Sequence, residues 1–277
     1  MRWRDYGQSS NVEDRRGLGG RGLAIGGGGI GVLVLALAAL ICGVDPRQLL
    51  ESLPNDPQTQ QQPGAASNSI NQPADENKQF VSAVMKTTED IWGEILPQQA
   101  HIRYQQPKLV LYSGQTPSAC GYGEAAMGPF YCPGDQKLYL DFDFFRELKQ
   151  EFKSPGDFAE AYVIAHEVGH HVQNLLGTMD KVQRAGQSNR LSVALELQAD
   201  CYAGVWAHHA QRKGLVEAGD AEEAIRAAAA VGDDMIQKRT QGYVVPESFT
   251  HGSSQQRTQW FAKGMQSGDM QQCAAFR

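Results

Sequence analysis

The chain has 277 residues, of which 20% are charged, with 31 acidic and 25 basic side chains and a formal net charge of −6. This length is compatible with one domain or with two. The modest acidic excess provides no broad basic surface of the kind that binds phosphate backbones, so we expect no nucleic-acid partner.

The N-terminal region carries the pattern of a membrane anchor. Residues 1–21 are polar and contain five arginines, and no charged residue follows between Arg21 and Asp45. About 20 apolar residues cross the hydrocarbon core of a bilayer, so we predict one transmembrane helix over 22–44. The arginines before the span, against Arg47 alone just after it, predict a cytoplasmic N-terminal tail at 1–21 and an extracytoplasmic remainder.

A cleaved signal peptide is the competing interpretation of this region, with Ala36-Leu37-Ala38 as a small-residue cleavage site. The apolar run continues past that site and exceeds the roughly 7–15 residues of a signal core, which favours a retained anchor. A lipoprotein is disfavoured, because Ile41 before Cys42 is too bulky for lipid attachment. The glycines at 26–29 lower the helix propensity of the span.

Residues 45–78 are rich in Gln, Pro and Asn and predict a flexible tether, and 79–277 predict the folded domain. A helical apolar spacing begins at Phe80, and the alternation in Lys108–Ser113 and Leu138–Phe145 predicts two strands. One hypothesis makes Leu138–Phe142 an edge strand that holds substrate by strand addition. An ordinary sheet strand packed on helices is the alternative.

The stretch Ala161–Asn174 contains His166-Glu167-Val168-Gly169-His170. Turn residues at 154–157 and Gly177 bracket an apolar-periodic run, which predicts one helix. Residues four apart on a helix face the same way, so His166 and His170 can bind one metal ion. Glu167 lies beside them as a general base, which is the zinc peptidase arrangement.

A third ligand is expected from the next predicted helix, which Ser188 caps and which continues through Trp206. Glu196 and Asp200 lie one turn apart in an apolar run, and buried carboxylates require a partner or a metal. We predict Glu196 as the third zinc ligand and Asp200 as an acceptor that orients a ligand histidine. A salt-bridged pair on a half-exposed helix is the alternative.

Four cysteines, Cys120, Cys132, Cys201 and Cys273, follow the predicted span. An even number in an oxidising compartment favours disulfides. Cys120–Cys132 with Cys201–Cys273 is the most local of the three possible pairings. The chain has no CxxC pair, so a zinc–thiolate site is not expected.

The C-terminal part offers candidates for stabilising the oxyanion of a peptide hydrolysis reaction. A helix is predicted over 218–239, and His251 lies in a polar turn before a final amphipathic helix. We expect His251 to stabilise the oxyanion, with Arg257 or Tyr202 assisting, while a surface or capping role is the alternative for each. His101, His208 and His209 are expected at the surface, and His171 is expected to pack beside the metal helix rather than to bind metal.

Several segments together are similar to one bacterial family: the start MRWRDYGQSSNVEDRRG, the glycine-rich span, YCPGDQKLYLDFDFF, AHEVGHHVQ, LELQADCYAGVW and SFTHGSSQQR. They resemble the bacterial putative neutral zinc metallopeptidase family over nearly the whole chain except the tether. The ExxxD spacing of Glu196 and Asp200 is also similar to that of the gluzincin peptidases. The resemblance implies His166, His170 and Glu196 as zinc ligands and Glu167 as catalytic base.

These patterns predict an α+β fold: a mainly helical, zincin-like metallopeptidase domain with a small sheet, preceded by one transmembrane helix. The expected function is hydrolysis of peptide bonds through a zinc-activated water, with one Zn²⁺ per chain and a peptide or protein as substrate. The expected location is the bacterial inner membrane, with a periplasmic catalytic domain. The alternatives are a zinc-stabilised, non-catalytic envelope binding module and a hydrolase of cell-wall amide bonds.

Overall fold

The computed structural model describes residues 1–16, 75–124, 128–186 and 188–276. Helices predominate in these ranges and the sheet is small, which confirms the predicted mainly helical α+β class. The helices are α1 (Glu76–Ala100), α2 (Phe142–Gln150), α3 (Asp157–Leu175), α4 (Thr178–Ala185), α5 (Asn189–Arg212), α6 (Asp220–Ala230), α7 (Asp233–Thr240) and α8 (Ser254–Ser267), with 3₁₀ turns at Pro246–Ser248 and Met270–Cys273. The strands are β1 (Val12–Asp14), β2 (Lys108–Tyr112), β3 (Gln115–Ser118), β4 (Gly121–Glu124), β5 (Phe130–Cys132) and β6 (Lys137–Asp141).

The main sheet has the strand order β1-β2-β6-β5, with β1, β2 and β6 parallel and β5 antiparallel to β6. Alternate side chains of β2 and β6 point to opposite faces. One face packs on the helical core through Leu109, Leu111, Leu138 and Leu140. The other forms a small cluster of Val110, Tyr112, Cys132 and Tyr139. Strands β3 and β4 form a separate hairpin.

The predicted strand Leu138–Phe145 is shorter in the structure, and its predicted role is wrong. It ends at Asp141, whose side chain accepts a hydrogen bond from the backbone N–H of Asp143 and so caps α2. Strand β6 is an interior strand, because β2 pairs with Lys137–Asp141 on one side and β5 pairs with Lys137–Tyr139 on the other. It is therefore not the edge strand that substrate addition requires, whereas β5 is an edge strand within the described part of the chain.

Helix α3 runs through the core and packs against α1, α5 and α6. It begins near the predicted turn and ends before Gly177, whose φ of 70° only glycine adopts easily. Helix α5 begins as predicted, with the Ser188 side chain accepting from the N–H of Leu191. The two helices approach closely at Gly169, where an added Cβ would lie 2.9 Å from the carbonyl oxygen of Ala199.

The helix predicted over 218–239 is broken into α6 and α7 at Val231 and Gly232. A Cβ at Gly232 would lie 2.4 Å from the backbone nitrogen of Ser254, so the start of α8 occupies the space beside the break. The alanine-rich sequence before the break favours continuation of the helix. The contact with α8 is what interrupts it.

Residues 1–16 do not form the separate tail that the sequence predicted. They belong to one compact unit with residues 75–277, in which β1 pairs with β2 and Trp3 packs edge-on against Phe80. The carboxylate of Glu89, which is 5% exposed, accepts hydrogen bonds from Ser9 and Asn11. This segment therefore contributes a strand and core side chains to the domain.

Two disulfides form, and they follow the most local of the three possible pairings. Cys120–Cys132 links the β3–β4 hairpin to β5, and Cys201–Cys273 links α5 to the C-terminal 3₁₀ turn. The predicted span 22–44, Cys42 and nearly all of the predicted tether lie outside the described residues. Within the described ranges, none of the helices has the length and apolar composition that crossing a membrane requires.

Candidate metal centre

Helix α3 places His166 and His170 one turn apart on the same face, as their spacing predicts. Their rings lie 4.8 Å apart between centroids and are nearly perpendicular. His166 is buried and His170 is half-buried, so both imidazoles lie at the floor of an opening rather than on a free surface.

Glu196 of α5 completes a cluster with the two histidines. One carboxylate oxygen lies 3.1 Å from His166 Nε2, and the other lies 3.4 Å from His170 Nε2. The three groups can each direct one donor atom to a common point, since these atoms lie within 4.8 Å of one another. Two imidazoles and one carboxylate, with an open fourth direction, form the ligand set of a catalytic zinc site.

A second group of acidic side chains among the described residues, Asp157, Asp220 and Glu223, also meets the distance criterion for a metal. The Met1 ammonium lies 2.7 Å from Asp157 Oδ1 and 3.3 Å from Asp220 Oδ2. A cation of the chain itself therefore already balances this group, and it lacks imidazole ligands.

Asp200 lies beneath His166 and accepts a hydrogen bond from its Nδ1 at 2.8 Å. The same carboxylate is fully buried and accepts from Arg257 Nε at 2.8 Å and from the Tyr162 hydroxyl at 2.5 Å. A carboxylate can only accept, so Asp200 fixes the proton of His166 on Nδ1 and leaves Nε2 for the cluster. Tyr162 is a residue that the sequence analysis missed, although it precedes His166 by one helical turn.

His170 has a different partner, the side-chain amide of Gln173, whose Oε1 lies 2.9 Å from His170 Nδ1. Sequence reasoning did not assign this residue either. The signal was present, because positions three apart on a helix are neighbours. In both imidazoles, Nδ1 is thus hydrogen-bonded to a buried side chain.

Burial and charge act against each other on the groups of the cluster. Burial lowers the pKa of His166, but Asp200 and Glu196 outweigh it and raise that pKa to about 10. Burial raises the pKa of Glu196, yet the two histidines hold it well below its ordinary value. In this form the cluster consists of histidine cations and carboxylate anions in mutual contact. A divalent cation can take the place of the histidine protons by binding the same donor atoms.

Glu167 follows His166 directly in α3 and lies next to the cluster. Its side chain is 8% exposed and lines the cavity above the two histidines. Burial raises the pKa of this carboxyl above its ordinary value, although the charges of His170 and His166 oppose the shift. A carboxylate whose pKa is raised toward neutrality is suited to accept and return a proton.

The cluster forms the floor of an open cleft of about 800 Å³. Phe130 and Tyr131 of β5 line one side, so the free edge of the sheet borders the cleft. Apolar side chains from several helices and the turns after them line much of the rest, namely Phe144, Phe152, Val163, Met179, Leu195, Val231 and Ile236. Charged side chains, Glu147, Glu151 and Arg239, also line it. The cleft is therefore large enough for an extended peptide and largely apolar.

His251 also lines the cleft and is held by Asp233. Its Nδ1 lies 3.2 Å from Asp233 Oδ1, while Asp233 Oδ2 accepts from the backbone N–H groups of Thr250, His251 and Gly252. The hydrogen bond that His251 donates to Asp233 raises the pKa of His251, whose side chain is 51% exposed. Asp233 was not identified from the sequence, since it lies 18 positions away in another helix.

Of the candidates for oxyanion stabilisation, Tyr202 lies outside the cleft lining, whereas Arg257 lines the cleft but is buried. Tyr202 is 3% exposed, packs edge-on against Trp92 and lies outside the cleft lining. Arg257 is 4% exposed, and its guanidinium is hydrogen-bonded to Asp200, Tyr162 and the carbonyl of Val231. Arg257 therefore supports the position of Asp200 rather than contacting a substrate.

The other histidines lie away from the cluster. His171 is buried, and its Nε2 donates to the carbonyl oxygen of Gln105 while its Nδ1 pairs with the Tyr131 hydroxyl. Burial lowers its pKa. His208 and His209 bond backbone carbonyls of Met265 and Gly268 and are half-buried, whereas His101 ends α1 at the surface.

The chain was compared with known proteins. The family described as "putative neutral zinc metallopeptidase" matches residues 1–276. The uncharacterised protein YpfJ of Escherichia coli is 48% identical over 290 aligned positions, which cover 100% of this chain and 99% of YpfJ. The uncharacterised protein Mb2605 of Mycobacterium bovis is 43% identical over 253 positions, or 86% of this chain and 85% of Mb2605. No solved structure gives a significant match.

The family match and the full-length similarity to YpfJ agree with the geometry of the cluster. Two histidines and a glutamate converge beside a buried carboxylate, within a chain that the family covers almost end to end. This chain is a member of the putative neutral zinc metallopeptidase family.

Proposed function

We propose that this chain is a zinc-dependent peptidase of the zincin type, with His166, His170 and Glu196 as the ligands of one Zn²⁺. The observation that carries the proposal is the buried carboxylate of Glu167 beside this ligand set, at the floor of an open cleft. A bound zinc ion lowers the pKa of a coordinated water to about 7 and polarises a carbonyl group.

The side chains of the protein supply the proton transfers. Glu167 takes a proton from the attacking water and returns it to the leaving amine, which its raised pKa favours. His251 faces the same cleft with its Nδ1 bonded to Asp233 and donates to the developing charge on the scissile carbonyl oxygen. Asp200 and Arg257 keep His166 in place during the reaction.

Substrate binding is proposed along the free edge of β5. An extended peptide can pair with an unpaired strand edge through main-chain hydrogen bonds, which read no particular side chain. Phe130 and Tyr131 place this edge at the border of the cleft. The apolar walls then favour peptides with hydrophobic side chains near the cleaved bond.

A zinc-stabilised binding module without turnover is disfavoured by Glu167. A structural zinc site has four protein ligands and needs no general base. Here three ligands converge and a buried acidic group is kept beside them, at a cost in desolvation. Hydrolysis of cell-wall amides uses the same chemistry and remains the alternative on the substrate side.

The two disulfides support an extracytoplasmic location, because oxidising compartments favour such bonds. Attachment to the bacterial inner membrane through residues 22–44 stays a prediction from the sequence.

The decisive experiment measures zinc content and casein hydrolysis on the same samples of the full chain. We expect one zinc per chain in the wild type and cleavage that a chelator abolishes. Glu167→Gln should keep its zinc and lose on the order of 10²–10⁴-fold in hydrolysis, since it removes only the base. Glu196→Ala should lose zinc, because a ligand is removed.

A Glu167→Gln protein with full activity would refute the assignment of the base. Full zinc occupancy in Glu196→Ala would transfer the ligand role to another carboxylate, with Asp200 the first choice. Zinc binding without any hydrolysis of casein or of cell-wall peptides would favour the binding module.

A further inference from the structure

The two histidines of the metal centre are oriented by partners of different kinds. His166 Nδ1 meets the carboxylate of Asp200, which can only accept a hydrogen bond. His170 Nδ1 meets the amide of Gln173, and an amide both donates and accepts. The tautomer of His170 therefore depends on which end of the Gln173 amide faces it.

Backbone geometry settles the orientation of Gln173. Its Nε2 lies 2.7 Å from the carbonyl oxygen of Leu195, the residue before Glu196 in α5. A carbonyl only accepts, so the amide nitrogen must face Leu195 and the amide oxygen must face His170. His170 is then the donor at Nδ1, and its Nε2 remains on the side of Glu196, where it can bind a metal ion once its own proton is lost.

A second glutamine extends this chain in the same direction. Gln173 Nε2 also donates to Gln198 Oε1 at 3.1 Å, and Gln198 Nε2 donates to the carbonyl oxygen of Cys273 at 2.9 Å. Here too the carbonyl oxygen can only accept, so the amide nitrogen of Gln198 must face it and the amide oxygen must face Gln173. The Cys201–Cys273 disulfide holds that carbonyl against α5.

Both glutamines are buried, with Gln173 fully enclosed and Gln198 at 7% exposure. Their amide groups have no access to bulk water as an alternative partner, so a broken link would leave a buried polar group unsatisfied. We infer that Gln173 and Gln198 are positioning residues of the metal centre, which together hold His170 in the Nδ1–H tautomer with Nε2 directed at the metal position. This inference rests on the ligand set of the proposed function.

The arrangement also couples the two ligand helices. Gln173 belongs to α3, which carries both histidines, and its amide bonds the main chain of α5 directly before Glu196. A single side chain thus orients one ligand and fixes the helix that carries another. Such outer partners of metal-binding histidines typically affect metal affinity by 10- to 100-fold.

The test measures zinc affinity of the full chain by competition with a chromophoric chelator. Gln173→Met keeps the length of the side chain without hydrogen bonds, and we expect it to weaken zinc binding by about 10- to 100-fold. Gln198→Met leaves Gln173, the direct partner of His170, in place. It should still weaken zinc binding several-fold, although the Gln198 side chain contacts none of the three metal ligands.

Gln99→Met is the matched control. Gln99 accepts from the N–H of Met270 and donates to the carbonyl of Gly268, so it anchors the same C-terminal segment without a hydrogen-bonded path to His170. Its loss should lower stability in urea unfolding with a chelator present, yet leave zinc affinity unchanged. Equal losses of affinity in Gln99→Met and Gln198→Met would reduce the role of Gln198 to general stability and overturn its assignment.

A second readout needs neither zinc nor activity. In the metal-free protein, the Nδ1–H proton of His170 should exchange slowly with solvent, because it donates to the buried amide oxygen of Gln173. Gln173→Met should remove this acceptor and accelerate the exchange measured by NMR. Slow exchange together with wild-type zinc affinity in Gln173→Met would overturn the inference, while a wild type that binds no zinc would refute the proposed function and leave the exchange measurement valid.

Discussion

Arg257 and His251 both line the cleft, but only one of them has a side chain free to contact a substrate. The guanidinium of Arg257 is buried and bonded to Asp200, whose charge would otherwise be uncompensated in the core. The His251 ring is half exposed and has one nitrogen bonded to Asp233. The ring of His251 is therefore the polar group available to a reacting carbonyl.

This difference predicts unequal effects of substitution. His251→Ala should lower kcat by on the order of 10²–10³-fold, as is usual when a donor to an oxyanion is removed, and should keep zinc. Tyr202→Phe should leave kcat unchanged, because Tyr202 packs on Trp92 outside the cleft. Rates of casein hydrolysis at matched zinc content give both values, and a large loss in Tyr202→Phe alone would reverse the assignment.

The His251–Asp233 pair also predicts a pH dependence of stability. Asp233 raises the pKa of His251 above 6.5, so this contribution is complete below pH 6.5 and is lost as pH rises through the folded pKa. Burial raises the pKa of Asp233, but hydrogen bonds with His251 outweigh it and lower that pKa below 3.8, so its contribution is lost in acid.

The stabilisation should therefore be greatest between pH 3.8 and 6.5. The free energy of unfolding of the wild type minus that of His251→Gln should peak in this window, by less than about 1 kcal/mol since the His251 side chain is half exposed. Urea unfolding at several pH values measures it. A difference that is independent of pH would show that the pair contributes no ionic stabilisation.

At the scale of elements, the crossing of α3 and α5 sets the distance between the histidines and Glu196. Gly169 lies between the two histidines, and Ala199 lies between Glu196 and Asp200. The backbone of Ala199 fills the space that a side chain at position 169 would need, with its carbonyl oxygen 2.9 Å from an added Cβ. The short side chains at this crossing allow donor atoms from two helices to converge.

Gly169→Ala should therefore destabilise the protein by about 1–3 kcal/mol through overpacking and should weaken zinc binding as α5 is displaced. Gly93→Ala is the control, because an added Cβ at this exposed helical position meets nothing within 4 Å. That change should stabilise the protein by roughly 0.5–1 kcal/mol and leave the metal site unaffected. Urea unfolding and chelator competition measure both, and unchanged zinc affinity in Gly169→Ala would contradict the role of the crossing.

At the scale of the molecule, residues 1–16 and 75–276 form one compact unit, although a long stretch of chain separates them in the sequence. The two ends of that stretch are close together, since Arg16 pairs with Asp14 and Asp75, and Lys78 pairs with Asp14. The N-terminal segment is therefore a structural part of the domain.

This packing predicts that residues 17–74 can be replaced by a short Gly/Ser linker without loss of the fold or the zinc site. Removal of residues 1–16 should instead cost about 3–5 kcal/mol from the lost burial of Trp3 alone, or roughly 10 °C in melting temperature. Thermal unfolding of the two variants and the full chain tests this. Equal melting temperatures after removal of residues 1–16 would contradict the contribution of β1 and Trp3 to the domain.

Local patterns predicted much of the fold and of the site. The spacing of His166 and His170 and the turn residues around α3 depend on neighbours within a few positions, as does the Ser188 cap of α5. Such features follow from helix geometry, which sequence displays directly. The same patterns failed at Gly232 and Asp141, where contact with α8 and the start of α2 interrupt a run that looks continuous.

The sequence by itself determined the candidates for this chemistry: the residues that can bind a metal, the carboxylate that can act as a base, and the helices that carry them. The tertiary structure decided which side chains support that chemistry. Gln173, Gln198 and Asp233 became assignable only when their partners were brought together from distant positions. The physical reason is that a hydrogen bond is directional and joins atoms about 3 Å apart. Its partners are therefore set by distances in the folded protein and not by the number of residues between them in the sequence.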